Sequence, residues 1–415
     1  MITARFVIMT LLVFVAGAWS RRYRATFVEW FAAGLATLTI EMIVLSAIGV
    51  RWSIPLLLIV PVIVALIPRN APHDASKYHL LFLIVACVAL AVYALTVMSA
   101  AATSGDFVFF WGTKGQIFGQ ERMLDTAFLR NPDHVVMHPE YPPLVPLYYA
   151  WTMLGAQQLD WFGAMASAIL FLALATLAIR GDANKALFAA MFALLFIRND
   201  VAGNAEPALI FFEVVACGAA AASAAGVLAS GDATTRRPRA AAAPQDDVVT
   251  AIALCGAILT KMEGAVFAIL FIVFLWRRKL AIIPLVVLAA WLVFAKTNGL
   301  FGTSDPRYAF SVAYVWPAMK QLAGQLSFGL WYLPWIACGA AAALGRRNEQ
   351  LHPSRHVFIR RPRAAAAPLL VAAIVFLAFM VLTYARPEAH LEWSAQRVLM
   401  TPLVLFFFSA ITRSA

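Results

Sequence analysis

HVVMHPEYPPLVPLYYAW, residues 134–151, is the stretch on which the topology of this chain turns. Histidines and a glutamate sit among closely spaced prolines, immediately before an apolar and aromatic run. Pro142, Pro143 and Pro146 have no backbone donor and restrict the residue in front of each, so the segment bends instead of continuing as helix. Tyr141, Tyr148 and Tyr149 suit a membrane–water boundary. If 143–158 crosses a bilayer fully, every later segment changes side; if it enters only partway, it does not.

Outward from this elbow the chain is mostly hydrocarbon. Of its 415 residues, 63% are hydrophobic and 13% charged, and the mean hydropathy is +0.81. Soluble domains do not have this composition. Apolar runs fall at 5–19, 27–48, 53–68, 78–100, 162–179, 187–198, 207–229, 248–260, 264–276, 280–295, 328–345, 365–384 and 396–411. Several reach the roughly 20 residues that a helix needs to cross a bilayer, and the shorter ones fit a packed bundle. The expected fold is an all-α polytopic transmembrane bundle of about 13 spans, within a range of about 11 to 14. It forms one domain over 1–415. Because apolar runs continue to the C-terminus, the first is expected to be a retained span and not a cleaved signal peptide.

The net charge of +11 does not indicate a nucleic-acid partner, because of where the charges lie. Arg21, Arg22 and Arg24 follow the first run, Arg236, Arg237 and Arg239 share one loop, and Arg277, Arg278 and Lys279 share another. Arg346, Arg347, Arg355, Arg360, Arg361 and Arg363 fill a third. Short juxtamembrane clusters of this kind stay cytoplasmic and fix orientation, and they can also meet anionic lipid headgroups. Cys87, Cys217, Cys255 and Cys338 lie inside apolar runs without paired spacing, which reads as small core residues and not as disulfides or a zinc site.

Placing every arginine cluster inside puts 101–142 on the exoplasmic face as a long loop. The alternation then continues consistently if 143–158 is a shallow or re-entrant helix surrounded by protein. The exoplasmic region accordingly spans 101–160 with interfacial or re-entrant helices, while 230–247 and 346–364 are cytoplasmic loops of linker-like composition. This count uses arginine and lysine alone, yet it gathers Asp106, Lys114, His134, His138, Glu140, Glu206, Lys261, Glu263, His390, Glu392 and Arg397 on one side. Ionisable groups are costly at a membrane, so their collection on one face is a site hypothesis.

In SGDFVFFWGTKGQIFGQ, residues 104–120, a carboxylate at Asp106 can take a proton from a hydroxyl acceptor, and Lys114 can meet a phosphate as a point charge. A blander reading makes Asp106 a helix cap and Lys114 a snorkelling anchor. His134, His138 and Glu140 are potential ligands of a divalent metal, but their spacing matches no strong metal signature, and no cofactor is expected. Lys261 and Glu263 stand at a tight helix junction, where neutralising partners is an alternative to catalysis. Arg397, entering the last apolar run, needs an anionic partner, either an internal carboxylate or a lipid-linked phosphate.

Together these residues resemble the polytopic glycosyltransferases of the GT-C superfamily, especially bacterial members of the dolichyl-phosphate-mannose protein mannosyltransferase and aminoarabinose transferase group. The resemblance rests on GDFVFFWGTKGQIF at 105–118, HPEYPPLVPL at 138–147, GNAEPAL at 203–209, LTKMEG at 259–264 and HLEWSAQRVLMTPL at 390–403. It implies a GT-C type bundle in a bacterial inner membrane, with an active site facing the periplasm or exterior. The implied activity is transfer of a sugar from a polyprenyl-phosphate donor to a hydroxyl-bearing lipid, glycan or protein acceptor. Asp106 and Glu206 are the implied catalytic residues. Lys114, Lys261 and Arg397 are implied contacts to the donor phosphate. His138, Glu140, Tyr141, Glu263, His390 and Glu392 complete the expected substrate-binding set, with the elbow at 138–146 shaping the cavity. The alternatives are a secondary transporter or flippase for a lipid-linked or polar substrate, which would place broken helices near mid-membrane, and a noncatalytic assembly protein.

Overall fold

A computed structural model describes residues 3–23, 25–66, 80–99, 105–131, 134, 138–229, 243–275, 279–301, 310–327, 340, 363–386 and 396–414. Among the described residues the chain is helical and has no strand. The N-terminal helices are α1 (Ala4–Gly17), α2 (Phe27–Ala47), α3 (Ile54–Leu66) and α4 (Leu80–Ser99). Three short ones follow, α5 (Gly112–Glu121), α6 (Thr126–Arg130) and α7 (Leu144–Met153). The central set is α8 (Trp161–Ala178), α9 (Asp182–Asn199), α10 (Glu206–Ala229), α11 (Ala243–Thr260) and α12 (Met262–Phe274). The remainder are α13 (Ile282–Thr297), α14 (Val315–Ser327), α15 (Arg363–Tyr384) and α16 (Met400–Ser414).

Local chemistry explains several of these boundaries. Thr26 and Glu29 form a reciprocal capping box at the start of α2, satisfying two backbone donors that a helix end leaves orphaned. Asp160 caps α8 by accepting from Gly163 N at 2.8 Å. The segment expected to be a loop over 230–247 is helical from Ala243 onward, where apolar side chains soon begin to recur; 230–242 lies outside the described residues. So do 346–362, all but Ala340 of the apolar run 328–345, and Cys338.

Among the described residues, four helices are long and apolar enough to cross a membrane, Phe27–Ala47, Trp161–Ala178, Lys279–Thr297 and Ala366–Tyr384, which is consistent with a membrane protein. Shorter apolar helices accompany them, including Asp247–Thr260, Met262–Phe274 and Gln396–Ile411. The outward faces carry large aliphatic side chains: Val88 and Leu95 on α4 and Ile282, Val286 and Val293 on α13 are more than half exposed. An apolar exterior of this extent is what a bilayer covers. Cys87 on α4 belongs to this outward face, whereas Cys217 and Cys255 are buried; the core reading therefore holds for the latter two and not for Cys87.

The pair α10 and α11 forms the centre, with α2, α8, α12 and α16 packed around it. Below the proline elbow, all ten residues of α7 are buried. At about 1.5 Å of rise per residue, this helix reaches only about half of a hydrocarbon core about 30 Å thick. Its polar tips all find partners. Trp151 Nε1 donates to Met9 O at 2.8 Å, Tyr148 and Thr10 hydroxyls lie 3.0 Å apart, and the Tyr149 hydroxyl donates to Gly203 O at 2.8 Å. These bonds tie α7 to α1 on one side and to the turn before α10 on the other, so a segment that looks interfacial by composition becomes an internal strut.

Candidate functional site

Five stretches remote in sequence meet at one end of the central helices. The first begins at Gly105 and runs helically into α5 through a π-helical turn at Phe107–Trp111, a local widening that often accompanies functional sites. Asp106 makes no side-chain cap bond there. Its carboxylate accepts instead from Arg397 Nη1, in an ion pair between residues 291 positions apart. Behind it, the Phe107 ring is held edge-on by Tyr149 and Trp161, at centroid distances of 5.8 and 5.2 Å.

The second stretch is the turn from α9 to α10. Asp200 ends α9 in the left-handed region, with φ 47°. Gly203 follows with φ +77°, and a Cβ there would stand 2.4 Å from the Phe107 ring; only glycine lets this turn lie against the aromatic side chain next to Asp106. Burial, reinforced by the charge of Asp106 and opposed by Arg397, raises the Asp200 carboxyl above its ordinary range. Glu206 then opens α10 and is 4% exposed.

Lys261 supplies the third stretch. It breaks α11 from α12 with extended backbone, φ −161° and ψ 160°, and its ammonium bridges Glu206 at 3.0 Å and Glu263 at 3.2 Å. The corner closes because residue 264 is glycine: a Cβ there would lie 2.0 Å from Ala257 O. Burial works against the charge of Lys261, and Glu206 and Glu263 overcome it, so the ammonium is held above the ordinary lysine range. Arg397, from the fourth stretch, also reaches Glu206, with Nε 3.9 Å from Oε1. Its position is set by the preceding residue: Gln396 accepts from Arg198 Nε at 3.2 Å and donates to Gln325 Oε1 at 2.8 Å. The result is an alternating network of carboxylates and cations, graded from Asp106, whose side chain is 50% exposed, to Glu206 at 5%.

The fifth stretch is the elbow. Lys114 is 2% exposed, donates to His138 O at 2.9 Å and lies 4.2 Å from the centre of the Phe110 ring. Burial pushes its amine down to about 7, against the charge of Glu140. Sequence spacing suggests Lys114 as a phosphate contact or a snorkelling anchor; in the fold it supports the elbow from beneath. His138 adopts φ 48°, stacks on Tyr141 at 4.7 Å and meets Glu140 Oε1 at 3.1 Å. Trp291 Nε1 donates to Glu140 O at 3.3 Å. Tyr141 joins the elbow to the charge network: burial first, and then Glu263, raise its phenol, while Lys261 opposes them.

His134 stands apart, its ring 4.3 Å from Phe128 and its Nδ1 2.9 Å from Phe128 O. Among the described residues no three His, Cys, Asp or Glu side chains are placed to hold a metal. His390 and Glu392 lie outside the described residues. The fold therefore brings together Asp106, Glu206, Lys261, Glu263 and Arg397, with Lys114, His138, Glu140 and Tyr141 alongside. It adds Asp200, Gln396 and Tyr384, the last of which acts electrostatically on both Tyr141 and Arg397. Tyr384 lies outside the quoted motifs, while Gln396 falls inside HLEWSAQRVLMTPL beside Arg397, without a chemical pattern that singles it out. No protein-family profile, curated protein or solved structure matches the chain.

Proposed function

We propose that the protein is a GT-C-like membrane glycosyltransferase of about 13 spans, transferring a sugar from a polyprenyl-phosphate donor to a hydroxyl acceptor at the exoplasmic face of a bacterial inner membrane. The observation that carries this reading is the joining of half-exposed Asp106 to Arg397, and of Arg397 and Lys261 to Glu206, at one end of an apolar bundle. A guanidinium has more donors than one carboxylate uses, so Arg397 can hold Asp106 and a phosphate oxygen together. Glu206 and Glu263 each keep one buried carboxylate oxygen that accepts no hydrogen bond from the described residues. Such oxygens suit the hydroxyls of a polar substrate.

In the proposed reaction the acceptor oxygen bonds to the anomeric carbon as the bond from that carbon to the phosphate oxygen breaks. Asp106 takes the hydroxyl proton, and polyprenyl phosphate leaves with the electron pair, its charge met by Arg397 and Lys261. Lys114 and the His138–Tyr141 stack shape the wall of the cleft. The reading is tested by turnover of polyprenyl-phosphate sugars by the purified chain in lipid nanodiscs. Donor-dependent transfer that is lost in Asp106→Asn, with donor binding weakened in Arg397→Ala, supports it; no binding and no turnover by the native chain rejects it. A carboxylate two helical turns inside α10, Glu213, is the one observation favouring the transporter alternative, and flux of the same donors across sealed vesicles distinguishes the two.

A further inference from the structure

Glu213 lies seven residues beyond Glu206 on α10, a spacing that returns to the same helix face. It is fully buried, at 0% exposure. Its Oε1 accepts from the Thr401 hydroxyl at 2.6 Å, while Oε2 is enclosed with no hydrogen-bond partner among the described residues. Thr401 stands four residues after Arg397, so α10 and the 397–401 segment touch twice, once through charges at the mouth and once through a hydroxyl inside.

The elements packed on α10 are α2, α8, α11, α12 and α16. Of these, α12 brings Glu263, whose charge acts on Glu213, and α16 brings the Thr401 hydroxyl. On α10 itself, Cys217 feels the Glu213 charge one turn further in. Among the described residues, no charged group of α2, α8 or α11 and no lysine or arginine acts on it. A hard cation demands about six or more oxygen ligands, which one carboxyl and one hydroxyl do not provide. A proton needs only the orphan oxygen.

We propose that Glu213 is a proton-binding site inside the helix bundle, and that Glu263 ties its proton occupancy to the charge state of the mouth. Lys261 normally screens Glu263 from 3.2 Å away while also holding Glu206. An anion that draws Lys261 toward itself leaves Glu263 less neutralised, and that negative charge strengthens the hold of Glu213 on its proton. By linkage the effect is reciprocal: the proton favours the anion as the anion favours the proton. Any anion that draws Lys261 has this effect, whether or not sugar is transferred.

The test is an infrared pH titration of the full chain in nanodiscs, following the carbonyl stretch of protonated carboxylic acids. A band of the native chain should vanish in Glu213→Gln and persist, displaced, in Glu213→Asp. It should shift in frequency in Thr401→Val, which removes its hydrogen bond. In Glu263→Gln the same band should titrate with roughly tenfold weaker proton affinity. If no band is lost in Glu213→Gln and none moves in Glu213→Asp, Glu213 is not the site. A Glu213 band indifferent to Glu263→Gln overturns the link to the mouth. Because no donor is added, neither result depends on whether the chain transfers sugars.

Discussion

Glu206 and Glu213 occupy the same face of one helix, are both almost wholly buried, and meet opposite surroundings. Glu206 faces the ammonium of Lys261 at 3.0 Å and the guanidinium of Arg397 at 3.9 Å. Glu213 faces one hydroxyl and feels the charge of another carboxylate, that of Glu263. Burial alone therefore does not decide what a carboxyl group does. At the mouth, cations brought by two other segments keep the charges assembled, as an ion-binding or group-transfer site requires. Two turns inside, no cation among the described residues meets Glu213, which leaves a group suited to holding a proton.

The contrast can be broken at its charged end first. Asp106→Asn keeps the shape of the pair with Arg397 and removes the proton acceptor, so transfer should fall by about a hundred- to ten-thousandfold. Thermal unfolding should barely change, because the carboxylate is half exposed. A loss of folding in step with activity would instead make Asp106 structural. Lys261→Met should destabilise the purified chain by about 3–5 kcal/mol, since Glu206 and Glu263 would then face each other without the cation between them. Equal stability by thermal or denaturant unfolding would mean that the mouth network is not a coupled unit.

Lys114 sharpens the comparison from the cationic side. Its folded-state value, about 7, lies below the ordinary lysine value of 10.5. Between these the unfolded chain binds more protons than the folded one, so stability should rise as pH climbs through that window. Lys114→Met should lack that slope, and parallel pH–stability curves for the two chains would show that burial does not tax this amine. The smallest effect is expected at the deep end. Thr401→Val should cost about 1–3 kcal/mol, less than Lys261→Met, because it removes a hydroxyl and leaves no charge stranded.

Much of the helical layout was legible from composition alone. The apolar runs 27–48 and 162–179 coincide closely with Phe27–Ala47 and Trp161–Ala178, because a helix that satisfies its own backbone in an apolar setting declares itself locally. The proline elbow was legible too, since Pro142 and Pro143 act on their immediate neighbours. The surroundings of Lys114 were not: its spacing from Asp106 suggests a ligand contact, and its burial under His138 arises only when the elbow folds back on α5. Glu213 was concealed for a related reason. In EPALIFFEVVAC, residues 206–217, one acidic residue hardly lowers the hydropathy of the run, and nothing local shows which neighbour it faces.

Composition and order along the chain are enough to specify a helical, membrane-compatible protein whose ionisable residues fall in a few short stretches between apolar runs. Those properties follow from near-neighbour chemistry: side-chain transfer energies, proline geometry and arginine clusters. It takes the fold to bring Arg397 to Asp106, to share Lys261 between Glu206 and Glu263, and to set Glu213 against the Thr401 hydroxyl. Electrostatic partnership in a low-dielectric interior depends on distances of a few ångströms between segments far apart in the chain. Those distances are set by how helices pack, through features such as the corner at Gly264 and the turn at Gly203.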